Sequence, residues 1–64
     1  MTYSITRDRA TNWDENFVYK YRRKSSSGYP VAEDEMSRRR DAGEPAVLWG
    51  WENFEPRMLE CVNI

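Results

Sequence analysis

Apolar and polar residues alternate from the start of the chain. Tyr3-Ser4-Ile5-Thr6-Arg7 has the period of two that predicts a short strand. Asp8 to Asn12 is polar and turn-like, and Trp13 leads into a second polar stretch, Asp14 to Asn16. Phe17 to Arg22 predicts a second strand, with Phe17, Tyr19 and Tyr21 on one face and Val18, Lys20 and Arg22 on the other. Ser25 to Gly28 has the composition of a flexible loop.

Pro30 can open a helix, because its missing N–H is not needed there. Residues 31–42 are the expected extent of that helix. Glu33, Asp34 and Glu35 are expected in its first turns and Arg38, Arg39 and Arg40 in its last, as the helix dipole favours. Asp34–Arg38 and Glu35–Arg39 are spaced to pair one turn apart. Gly43 suits the stop position beyond the last turn. The apolar stripe is thin: Val31, Ala32, Met36 and Ala42.

Ala46-Val47-Leu48-Trp49-Gly50-Trp51 is the most apolar stretch and predicts a buried strand, with Trp49 and Trp51 on one face. Gly50 would lie on the other, where a second backbone could approach. Glu52 to Pro56 is a turn carrying Phe54. Arg57 to Ile64 closes the chain as a strand, with a helical turn as the alternative; Met58, Val62 and Ile64 share a parity. The fold class expected is α+β, a small antiparallel sheet in the order β-β-α-β-β with one helix on one face. Residues 1–64 make a single domain, with the second strand and the tryptophan strand at its centre.

Composition changes this picture in two ways. A chain of 64 residues buries only about 60% of the surface its unfolded form exposes. Its mean hydropathy is low, −0.97, yet 14% of it is aromatic, which argues for a folded core of large rings. Charge is uneven. Residues 1–24 carry six Lys/Arg against three Asp/Glu, and residues 25–64 carry four against eight. Neither half has the field to steer a partner strongly, and the acidic half is too mixed in sign to imitate the charge density of DNA.

The chain has one cysteine and no histidine. A lone Cys61 excludes an internal disulfide framework, pointing to a reducing cytoplasm. It is expected to be a small buried hydrophobe rather than a reactive thiol. Without histidine there is no imidazole base and no histidine-containing zinc site. No serine sits in a nucleophile-elbow pattern. Glu33, Asp34 and Glu35 are consecutive on a helix and point in different directions, so they cannot converge on a metal. The expectation is no catalytic residue, no cofactor and no metal. No apolar run approaches the about 20 residues of a membrane span, and Met1 to Ala10 has no apolar signal core.

Binding is the function left. Tyr19 and Tyr21 beside Arg22, Arg23 and Lys24 have the composition of a single-strand nucleic-acid surface, or of a core strand with a solvated basic end. Arg39 and Arg40 could reach a partner's carboxylate or phosphate, or simply close the helix. Trp49 and Trp51, together with Trp13, are hard to bury all at once in so small a chain. Trp, Tyr and Arg are the residues that dominate interface hot spots. In kind, the chain resembles the small proteins that bacteriophages use to inhibit or redirect host machinery, defence systems included. That likeness rests on size and composition and assigns no residue a role. It implies a host protein or protein complex as partner. Nucleic acid and a second copy of the chain are the alternatives, and no membrane partner is expected.

Overall fold

The computed structural model describes residues 2–14, 18–20 and 28–64. It is an α+β fold, an antiparallel sheet with one helix packed on one face. The elements in chain order are β1 (Thr2–Thr6), β2 (Val18–Lys20), α1 (Tyr29–Asp41), β3 (Ala46–Glu52) and β4 (Glu55–Val62). The strands lie side by side as β2-β1-β3-β4. The centre of the sheet is therefore β1 and β3, whereas the sequence pattern had pointed to the second strand and β3. The reason is visible in β1. Residues 3–6 are buried on both faces, so Ser4 and Thr6 are interior despite being polar.

One face of the sheet carries the apolar core. Tyr3 and Ile5 of β1, Ala46 and Leu48 of β3, and Val62 of β4 pack against Ala32 and Met36 of α1. Val31 is only half-buried and Ala42 is exposed, so the helix seats through a narrower seam than its sequence stripe suggested. Gly50 lies on this face too. A Cβ there would stand 2.9 Å from Leu59 Cδ1, so a side chain, not a second backbone, fills the space over it.

The helix opens at Tyr29, two residues earlier than expected, with Gly28 at its N-cap and no side-chain cap. The acidic residues Glu33, Asp34 and Glu35 consequently lie beyond the first turn, where the dipole gives them little. Glu33 instead accepts from the Tyr29 hydroxyl, and Asp34 and Glu35 act through arginine. Arg38 pairs with Asp34 at 2.9 Å and Glu35 at 2.8 Å, and Arg39 pairs with Glu35 at 3.1 Å. These hydrogen bonds, that from Arg38 foremost, hold the Glu35 carboxyl below its ordinary pKa.

The helix ends in a Schellman motif. Gly43 N–H donates to Arg40 O and Glu44 N–H to Arg39 O, with Gly43 at φ +75°. Asn63 reaches across from the end of β4 and donates its side-chain amide to the carbonyls of Arg39, Arg40 and Glu44, at 3.0–3.4 Å. The last strand is thus tied to the end of the helix.

β4 is a strand from Glu55 onward, not a turn followed by a strand from 57. Its register shifts between Leu48 and Trp49 of β3, leaving Leu59 as an extra residue. The bulge breaks the parity expected of this segment. Met58 faces Trp49 and Val62 faces Ala46, on opposite sides of the sheet. Of the expected second strand, Phe17, Tyr21 and Arg22 lie outside the described residues, as does the loop 25–28 apart from Gly28.

Candidate functional site

The face of the sheet away from α1 is built on two hydrogen-bond relays. Trp49 Nε1–H donates to Thr6 Oγ1 at 2.8 Å, and the Thr6 hydroxyl donates to Asp8 O at 2.9 Å. Trp51 Nε1–H donates to Ser4 Oγ at 2.9 Å, and Ser4 donates to Asn12 O at 2.7 Å. Each hydroxyl therefore both accepts and donates, which a buried hydroxyl requires. The connection after β1 is drawn across this face by its own carbonyls. Asp8 stabilises it locally, accepting N–H bonds from Ala10 and Thr11. The Thr11 bond chiefly lowers the Asp8 pKa. At the end of this loop Trp13 meets Trp51 edge-on, with centroids 5.5 Å apart at 89°.

The result is an apolar strip partly open to solvent. Trp13 remains 44% exposed above the half-buried Trp51. Trp51 pairs with Pro56 across the ladder, and beyond it Met58, 45% exposed, faces Trp49. Cys61 is half-buried rather than fully interior, and its thiol donates to Met58 Sδ at 3.2 Å.

The hairpin between β3 and β4 carries this strip to an exposed tip. Glu52 and Glu55 are its last pair, so the turn has only two residues, Asn53 and Phe54. Both have positive φ, +50° and +64°, the signature of a type I′ turn. Asn is at home there, while the second position favours glycine. Phe54 stands in that position 99% exposed. Such a backbone costs a bulky residue on the order of 1–2 kcal/mol. Directly opposed like charges, Glu52 and Glu55, add a further unfavourable term. Neither carboxylate forms an ion pair with another described residue. Glu52, Asn53, Glu55 and Arg57 line a shallow depression beside the tip.

The sequence candidates are scattered by the fold. Arg39 is only 7% exposed and bonded to Glu35, and Trp49 is buried with its indole satisfied by Thr6, so neither offers a surface. Arg40 is exposed beside Asp41 at 3.4 Å, on the helix that packs against the opposite face of the sheet from the strip. Trp51 belongs to the strip. The backbone of Tyr19 pairs with that of Tyr3, and Tyr21, Arg22, Arg23 and Lys24 lie outside the described residues. Phe54 was not among the binding candidates, although its place in a short polar turn was a signal. An aromatic ring between glutamates and next to an asparagine in a hairpin turn satisfies no folding requirement.

No group of three or more metal-ligating side chains occurs among the described residues, and no described helix is long and apolar enough to cross a membrane. No protein-family model matches the chain, and no curated protein or solved structure matches it either.

Proposed function

We propose that this protein is a small protein-binding modulator, an inhibitor that acts in the cytoplasm by stoichiometric association with a host protein or defence complex. It binds without catalysing a reaction. The observation that carries this reading is Phe54, a whole phenyl ring held in water at the tip of a two-residue turn. A phenyl ring contributes nothing to a fold it does not touch, and fully burying one in a partner stabilises the complex by roughly 1.5–3 kcal/mol. The half-exposed Trp13 and Met58 extend the apolar surface on the same side as Trp51. The small size and the mixed, phage-like composition fit the same role.

The test is parallel capture from a bacterial lysate with tagged wild-type protein and with Phe54→Ala, quantified by mass spectrometry. Wild type should retain one protein in fixed stoichiometry, and the variant should lose it by about 30-fold, the size of a hot-spot truncation. Equal recovery by both proteins, or recovery of nucleic acid alone, would refute the reading.

A further inference from the structure

Three features coincide at the outer end of the β3–β4 hairpin, and each is unfavourable in the free protein. Phe54 exposes its entire ring. Its backbone is left-handed at a position suited to glycine. Glu52 and Glu55 oppose each other across the ladder with no described cation paired to either. Local choices that conflict with the isolated fold concentrate where another requirement governs the residues. A complementary surface closing over the tip relieves the exposed ring and the opposed charges together.

Resting on the binding reading above, we propose that the hairpin tip enters an apolar pocket of a partner protein whose rim carries arginine or lysine. Phe54 fills the pocket, and one rim cation sits between Glu52 and Glu55. The depression beside the tip, lined by those two carboxylates, Asn53 and Arg57, is the place for it. Two glutamates and one arginine leave the tip with a net charge of −1, which a single added cation neutralises. A guanidinium suits the position best, because its planar fork can serve both carboxylates. The same charges select the class of partner. Two carboxylates flanking the ring repel a phosphate backbone and an anionic bilayer alike, so the ring is directed to protein.

The experiment uses the full chain with photoreactive benzoylphenylalanine in place of Phe54, irradiated in a bacterial lysate. The cross-linked peptide is identified and located on the partner's structure. Affinities of the purified partner for wild type, Phe54→Ala, Glu52→Gln/Glu55→Gln and Glu52→Lys/Glu55→Lys are then compared, with far-UV circular dichroism confirming that each variant is folded. The cross-link should fall in an apolar pocket with arginine or lysine on its rim. The glutamine pair should weaken binding about tenfold, the loss of one charge-assisted contact, and the lysine pair more. High salt should reduce the difference between wild type and the glutamine pair. If Phe54→Ala abolishes binding while both glutamate variants bind as wild type, the inference falls and the binding reading stands. A cross-link to an acidic or flat polar surface, or to a second copy of this chain, also overturns it. Failure to cross-link any protein overturns both.

Discussion

Phe54 sits where the turn asks for glycine, and that conflict gives a prediction with two opposite signs. Phe54→Gly creates Asn53-Gly, the preferred pair for a type I′ turn. It should stabilise the isolated protein by about 1 kcal/mol by removing left-handed strain, read as a raised midpoint in urea. The same variant should lose partner capture. A gain in both would show that the aromatic serves neither folding nor binding. Trp49 behaves in the contrary way, as a structural residue. Trp49→Phe keeps most of the apolar volume but deletes the donor to Thr6 Oγ1. The hydroxyl keeps its bond to Asp8 O and loses one partner in a buried site. A loss of about 1–3 kcal/mol is expected, with partner binding unchanged. The sequence shows three tryptophans too many to hide in so small a chain, and Trp13 is indeed half-exposed. It does not show which ones are covered, because the cover comes from loop carbonyls at Asp8 and Asn12. Those contacts carry no side-chain pattern.

At the scale of elements, the helix and the hairpin were legible for different reasons. The i,i+4 pairs Asp34–Arg38 and Glu35–Arg39 and the stop at Gly43 are local, so spacing alone predicts them. The helix start was displaced because Tyr29 is held both by β1 and by the next turn of its own helix. Its ring lies 5.4 Å from Tyr3, and its hydroxyl donates to Glu33 Oε2, which raises the tyrosine pKa. The strand parity of residues 57–64 failed at one extra residue, Leu59, which fills the space over Gly50. A bulge of this kind depends on the partner strand and leaves no mark on its own segment. The Glu35 cluster yields a pH prediction. Its folded pKa lies below the ordinary 4.5, so folding favours the ionised form. The stability it supplies is complete above the unfolded pKa and is lost as pH falls through the lower folded value. Glu35→Gln should therefore destabilise the protein at pH 7, by about 1–3 kcal/mol. The gap to wild type should close as the pH falls below 4.5. A gap that persists unchanged to pH 2 would mean the carboxylate's charge is not what Arg38 and Arg39 use.

The whole molecule has a sheet covered unequally on its two sides. On one side Met36 and Ala32 of α1 close an apolar core over Ile5, Leu48 and Val62. On the other, a loop is held by two hydroxyl relays and a ring that is 44% exposed. A chain of this length has a stability of about 3–10 kcal/mol in total. Truncating a fully buried methionine costs about 2–5 kcal/mol, a large share of that. Met36→Ala should therefore abolish the cooperative thermal transition or lower its midpoint by tens of degrees. Trp13→Ala removes one edge-on ring contact and part-buried area, a loss of about 1–2 kcal/mol, and the fold should survive it. The two variants separate stability from function. If the loop side only protects the sheet, Trp13→Ala lowers the midpoint and leaves partner capture intact. If the strip from Trp13 through Trp51 to the hairpin tip is one docking surface, Trp13→Ala weakens capture in a protein that remains folded at the assay temperature. The second outcome is expected, because relays that satisfy Ser4 and Thr6 need no ring at position 13. Its exposure on the strip is then explained by the partner rather than by the fold.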